Sequence, residues 1–340
     1  MHVVLRQYKV DPSAVDEIVR RAREGFVPLI SAAPGFVSYT ISDGGAEGVT
    51  TIGTFEDQTG AEESIRLAAD WVKDNLAALL PDPPRITSGE AVIREVKEGA
   101  QLGYGVMRRY QFKPGDVAEV TRLVREGLVP RIASAPGFCI YTVLDAGDGV
   151  AVSLSGFTDQ ASAEVSSRQT LAWVREHLGS FHPEPPQVIG GVIKLRHTRA
   201  DAVRQASDRF YAALNAMANG DAGPMSAIWA HSGDVTTMHP IGHREVGWEQ
   251  VRPTWEQVAS IAGGGQIRLR DQLIRVGTDL AYEVAVEEGE ITMAREPVAF
   301  NQRVTNIYRR EGGEWKIIHH HSDPSPAAND LLSRLQSPLR

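Results

Sequence analysis

Apolar and polar residues alternate along VVLRQYKV near the N-terminus, which is the two-residue period of a half-buried strand. The period then changes: Val15, Ile18, Val19, Ala22 and Phe26 fall at helical spacing. Pro34-Gly35 punctuates the helix end and starts a strand through Phe36 to Ile41. A Gly-rich turn at Asp43-Gly44-Gly45 leads to a strand ending at Phe55, and Asp57 is placed to cap a second helix carrying Ile65, Ala68, Val72 and Leu76. The Pro-rich PDPPR stops that helix, and a last strand follows. The predicted unit is strand, helix, strand, strand, helix, strand.

This unit occurs twice. GFVPLISAAPGFVSYTISD at 25–43 returns as GLVPRIASAPGFCIYTVLD at 127–145, a shift of 102 residues (Gly25 to Gly127). The same shift carries Tyr8 onto Tyr110, Phe55 onto Phe157, Asp57 onto Asp159, Trp71 onto Trp173 and Pro83-Pro84 onto Pro185-Pro186. In the second copy the helical positions are Val117, Val120, Leu123, Val124 and Leu128, and PEPPQ ends the second helix. A repeat of this length is domain-sized, well beyond the roughly 20–50 residues of a solenoid unit. Two helices cover one face of each sheet, so its other face needs a second sheet, and the tandem copy supplies one.

Beyond about residue 199 the pattern changes again. DAVRQASDRFYAALNAMANGD sets Val203, Phe210, Leu214 and Met217 on one helical face, with Gly220-Asp221 as the stop. A short helical segment from Met225 to Trp229, the strand DVTTMHP and a helix bearing Val251, Trp255 and Val258 come next. Four strands, near 264–276, 278–289, 298–309 and 314–322, complete an α+β cone around an interior pocket. The predicted domains are 1–98 and 99–198 for the two barrel halves, 199–325 for the cone, and a polar tail at 326–340.

Composition narrows the possibilities. The 340 residues are 42% hydrophobic and 23% charged, a soluble globular balance, with formal net charge −8. That charge gives no electrostatic reason to expect nucleic acid or an anionic membrane as partner. No run of about 18 apolar residues is available for a membrane helix, and the N-terminus turns polar too early for a secretory signal. One cysteine, Cys139, excludes an internal disulfide and fits a cytoplasmic setting. It matches Val37 of the other copy, so it reads as a small buried apolar residue.

The PGFVSYTISD and PGFCIYTVLD strands, the TFEDQ and GFTDQ helix starts and the element order resemble the antibiotic biosynthesis monooxygenase-like family of dimeric α+β barrels, over roughly residues 1–198. The resemblance implies two ferredoxin-like repeats forming an intramolecular barrel, with cofactor-free oxygenation as one activity. Gln7 and Arg109 stand where the haem-degrading members use Asn, and Asn75 and His177 follow the two tryptophans, so no catalytic residue is carried over.

DVTTMHPIG, GWEQVRPTWEQV, DLAYEVAVEE and QRVTNIYRREGGEWKIIHHHSDP resemble the SnoaL-like, ketosteroid-isomerase-like branch of the nuclear transport factor 2 superfamily. This implies a ligand cavity without fixing a reaction, since members include isomerases, cyclases, dehydratases and pure binding or assembly modules. It also implies a homodimer through the C-terminal domain.

The last hairpin carries the candidate chemistry. With a two-residue turn at Gly312-Gly313, Glu311 pairs with Glu314, Ile317 faces Tyr308, His319 faces Asn306 and His321 faces Val304. Strand alternation then puts Trp315, Ile317, His319 and His321 on the inner face and His320 outside, unless a bulge inverts the assignment. His319, His321 and His239 are the candidate bases, because imidazole titrates near neutrality. Tyr282 and Arg303 are candidates to stabilise an enolate, and Asp323 to orient an imidazole. Trp229, Trp255 and Asn306 complete the candidate ligand-binding set. A three-His metal site is weighed and set aside; no metal and no cofactor is expected. The expected ligand is a small apolar carbonyl compound, with a non-catalytic binding or oligomerisation module as the alternative.

Overall fold

The computed structural model describes residues 1–181, 185–240 and 243–336. Part of the second Pro-rich segment (182–184), the end of the DVTTMHPIG motif (241–242) and the last four residues of the expected tail lie outside the described residues. The chain divides into two compact units, Met1–Thr198 and Arg199–Arg340.

In the first unit, the first repeat runs β1 (His2–Tyr8), α1 (Val15–Arg21), α2 (Val27–Ser31), β2 (Phe36–Asp43), β3 (Val49–Phe55), α3 (Gln58–Asn75) and β4 (Arg85–Val96). The second runs β5 (Tyr104–Gln111), α4 (Val117–Leu123), α5 (Val129–Ala133), β6 (Phe138–Asp145), β7 (Val150–Phe157), α6 (Gln160–Leu178) and β8 (Gln187–Thr198). The strands close into one barrel in the order β1-β3-β2-β8-β5-β7-β6-β4. Each repeat's last strand crosses to the other's second strand, β4 to β6 and β8 to β2, so two seams remove every sheet edge.

Local details repeat with the fold. Asp57 and Asp159 cap α3 and α6, each carboxylate accepting from a backbone N–H three residues on. A π-helical turn joins α1 to α2 at Ala22–Phe26 and α4 to α5 at Val124–Leu128. Gly25 and Gly127 within those turns lie against the indoles of Trp71 and Trp173; a Cβ there would come within 3.1 and 2.7 Å of the rings. The tryptophans therefore serve as packing aromatics under the helices, Trp71 also lying against Phe26. Arg6 and Arg108, which are repeat counterparts, are 2% and 1% exposed. Arg6 donates to Ser64 O and Oγ (2.7 and 3.0 Å), and Arg108 to Ser155 and Ser167 Oγ (3.2 and 2.6 Å).

The second unit starts with α7 (Arg199–Ala218), α8 (Met225–Ile228), β9 (Thr236–Met238), β10 (Arg244–Val246) and α9 (Trp248–Ile261). The strands β11 (Ala262–Val276), β12 (Leu280–Met293), β13 (Glu296–Glu311) and β14 (Glu314–Ser322) follow, and then α10 (Pro326–Gln336). The sheet order is β10-β9-β14-β13-β12-β11, with β9 and β14 parallel. Helix α7 lays Val203, Phe210, Leu214 and Met217 into the core, as its periodicity predicts. The expected polar tail is corrected: residues 326–336 are helical, and α10 buries Ala328 and Leu331 in the same core. Among the described residues no helix is long and apolar enough to cross a membrane.

Candidate functional site

The β13–β14 hairpin turns at Gly312-Gly313 with φ of 57° and 89°, values that favour glycine. Glu311 pairs with Glu314 and Tyr308 with Ile317, as expected from the turn. The register then shifts: Ile307 pairs with His319, so Ile318 is an extra residue in a bulge. One inserted residue reverses the facing of everything beyond it. His320 now pairs with Asn306 and Ser322 with Val304, both on the inner face with Trp315 and Ile317. The assignment of His319 and His321 to the cavity is therefore corrected. They lie half-buried on the opposite face, with His319 Nδ1 2.8 Å from Thr236 Oγ1.

His320 is 2% exposed and anchored through Nδ1. Asn306 donates through Nδ2 to Glu283 (2.9 Å) and to the Tyr211 hydroxyl (3.2 Å), so its Oδ1, 2.8 Å from His320 Nδ1, is the acceptor. The network thus assigns the proton to Nδ1 and leaves the Nε2 lone pair facing Ser322 Oγ at 3.1 Å. Burial, and then the neighbouring charges of His239, His319 and His321, hold this imidazole well below its ordinary value.

Two carboxylates stand behind it on β12. Glu283, 0% exposed, accepts from Ser207 (2.7 Å), Gln272 (2.5 Å), Asn306 (2.9 Å) and Tyr308 (2.7 Å). Glu287, 2% exposed, accepts from Tyr211 (2.9 Å), Gln302 (3.3 Å) and Ser322 (3.3 Å). Burial pushes the Glu287 carboxyl up, opposed by those three donors. Burial and the adjacent glutamates push the Tyr211 and Tyr308 phenols well above their usual range.

The network opens on a cavity of about 60 Å³. Its apolar end is formed by Leu214, Met217, Ile291, Met293 and Phe300. Its polar end is formed by His320, Ser322, Glu287, Gln302 and His239. His239 lies 3.5 Å from Glu245 Oε2 through Nε2 and stands edge-on to Trp255 at 4.4 Å between ring centroids. Trp255 also lines the cavity, and its buried Nε1–H lacks a hydrogen-bond partner.

Of the sequence-derived candidates, the structure brings His239, Trp255 and Asn306 to this site. Trp229 is a buried core residue against Trp248 and Trp255. Tyr282 is 46% exposed, on the outer face of the sheet, and Arg303 is exposed and paired with Asp323 at 2.7 Å. These three are corrected as cavity residues: strand alternation points Tyr282 and Arg303 away from the interior, and Asp323, just past β14, is engaged by Arg303. His239, His319 and His321 do not converge. No group of three or more metal-ligating side chains occurs among the described residues.

Glu283, Glu287, Tyr211, Tyr308, Gln302 and His320 were missed. The available signal was the spacing on β12: glutamates four apart share a face, with Val284 and Val286 on the other. Reading apolar as inward inverts the 282–287 stretch of this strand, where Glu283 and Glu287 face the interior.

The SnoaL-like domain family matches residues 203–327, and the second unit carries a SnoaL-like domain. A structure from the NTF2-like family of Streptomyces avermitilis, provisionally named a dehydratase, is 25% identical. The match covers 37% of this chain and 94% of that one at a TM-score of 0.34. A provisionally named calcium/calmodulin-dependent protein kinase type II association domain from Thiobacillus denitrificans is 29% identical over 36% and 93% of the two chains, TM-score 0.29. The first unit is similar to a provisionally named monooxygenase from Lactobacillus acidophilus, at 14% identity over 58% and 96%, TM-score 0.48. A comparison with curated proteins finds no match. The chain thus joins an intramolecular α+β barrel to a SnoaL-like domain.

Proposed function

We propose that the C-terminal domain binds a small, largely apolar carbonyl compound and abstracts a proton beside its carbonyl group, with His320 as general base. The observation that carries this reading is the fixed tautomer: a neutral imidazole whose Nδ1–H is committed to Asn306, leaving Nε2 as its basic atom at a cavity wall. Glu287, whose proton is held more tightly by burial, and His239 with Glu245 are the groups placed to return a proton. The unpaired Trp255 Nε1–H is a donor for the substrate oxygen. The reaction class is isomerisation or cyclisation through an enolate. The outer sheet face, with Leu273, Leu280 and Tyr282 exposed, supports a second copy of this chain as its partner.

The test is hydrogen exchange of a simple ketone. In D2O the intact protein should accelerate deuterium incorporation next to the carbonyl of 2-tetralone, followed by proton NMR. His320→Gln should remove at least about 100-fold of that acceleration, the usual contribution of a positioned base. Exchange no faster than buffer, or unchanged in His320→Gln, rejects the base; saturable binding without exchange would favour a ligand-carrying module.

A further inference from the structure

The barrel of the first unit holds a second chamber. A cavity of about 80 Å³ lies inside the closed sheet, room for several waters or a small organic group. Its walls differ by repeat. The first repeat lines it with Ser38, Thr40, Ser42, Thr50 and Thr54. At the counterpart positions the second repeat has Ile140, Thr142, Leu144, Val152 and Gly156, which keep one hydroxyl, and Ser155 adds a second to its side of the lining. Leu144 and Val152 pack behind the cavity against Val3 and Met107, which line it, and the second repeat also lines it with Val106, Leu154 and Ile189.

Two cations face this space. Arg94 on β4 and Arg196 on β8 are counterparts under the 102-residue shift (94 to 196), and both line the cavity. Arg94 pairs in register with Thr142 and Arg196 with Thr40, each across a seam between repeats. In the strand order the seams lie on opposite sides of the barrel, so the arginines approach from opposing walls. Arg94 is half-buried and Arg196 exposed, which places the pair where the lumen meets solvent. No acidic residue lines the cavity among the described residues, and neither guanidinium has an ion-pair partner there. Burial, and then the like charge of Arg196, lower the Arg94 value. Two like charges converging in a partly dry chamber oppose folding unless something anionic joins them.

We propose that the barrel lumen is a binding site for a small organic carboxylate with an apolar body, its carboxylate held by Arg94 and Arg196 and its body against the apolar wall of the second repeat. The hydroxyl wall of the first repeat supplies further donors to the carboxylate oxygens.

Benzoate is the probe, with benzyl alcohol and inorganic phosphate as controls, titrated calorimetrically into the full chain at low salt. Benzoate should bind one site per chain with Kd below about 1 mM. Benzyl alcohol and phosphate, each lacking one half of the recognition, should bind at least about tenfold more weakly. Arg94→Gln and Arg196→Gln should each raise the benzoate Kd about tenfold. Without ligand both variants should melt at or above the wild-type temperature, since each relieves the like-charge pair. The exposed Arg196→Gln keeps the test informative should Arg94→Gln fold poorly. Absence of saturable benzoate binding, equal binding of benzyl alcohol or phosphate, or an unchanged Kd in Arg196→Gln overturns the proposal. So does a fall of several degrees in the melting temperature of ligand-free Arg196→Gln, which would make the arginine structural.

Discussion

The two units bury charge of opposite sign in the same manner. The barrel encloses Arg6 and Arg108, and their hydrogen-bond partners are serine hydroxyls and a backbone carbonyl. The SnoaL-like domain encloses Glu283 and Glu287, held by hydroxyl and amide donors. Neither unit neutralises these groups with a counter-ion; neutral dipoles replace hydration instead. They differ in how many dipoles are supplied. Glu283 fills its acceptor positions with four donors, whereas Arg6 and Arg108 each leave the buried Nε without a partner. The glutamate is therefore a fully built anchor for a network that ends at the cavity. The arginines are long side chains that pack between sheet and helix with incomplete polar satisfaction.

That contrast is broken most sharply at Glu283. Glu283→Ala leaves donors from Ser207, Asn306 and Tyr308 buried without an acceptor, and should cost the second unit about 3 kcal/mol. The loss should appear as a lower urea midpoint with little change in slope. A cost below about 1 kcal/mol would mean that the network rearranges freely and does not fix His320.

The next effect is a pH dependence specific to the second unit. His320 has a depressed value in the fold, so below about 6.5 the unfolded chain takes up a proton that the folded one refuses. Stability therefore falls as pH drops from about 6.5, by up to about 1.4 kcal/mol per unit. Glu287 has the opposite sign: its raised value favours the folded state as pH falls through its own titration, in the window above about 4.5. Urea midpoints from pH 7.5 to 5.0 should decline in the wild type and flatten in His320→Gln. A flat wild-type profile would contradict the neutral, buried imidazole.

The smallest change is expected at Arg6. Arg6→Met replaces an incompletely satisfied cation with an apolar chain of similar length, so stability should shift by less than about 1 kcal/mol and in either direction. A loss of several kcal/mol on denaturant unfolding would show that the barrel arginines are anchors of the same kind as Glu283.

Much of this architecture was legible in the residues because it depends on local chemistry. Helical and strand periods, the Asp57 and Asp159 caps, the Gly312-Gly313 turn and the repeat each act over a few residues or between identical segments, and so leave a pattern in one dimension. The SnoaL-like pattern at the C-terminus rested on the same kind of signal. Trp255 was legible from its helical period, and Asn306 because the extra residue sits on β14 and leaves the alternation of β13 intact.

The tertiary structure decided the rest. The bulge at Ile318 exchanges His319 and His321 for His320, and a single extra residue is set by how β14 packs against its neighbours, not by its own composition. The inversion of β12 arises because this interior uses glutamates to hold tyrosine and asparagine while valines face outward, so hydrophobicity alone assigns the wrong face. The meeting of Arg94 and Arg196 needs closure of the barrel across both seams: the sequence determined that the two arginines are counterparts, and only the strand order placed them across one chamber. Periodicity reports which residues share a face, while register and closure decide what that face meets.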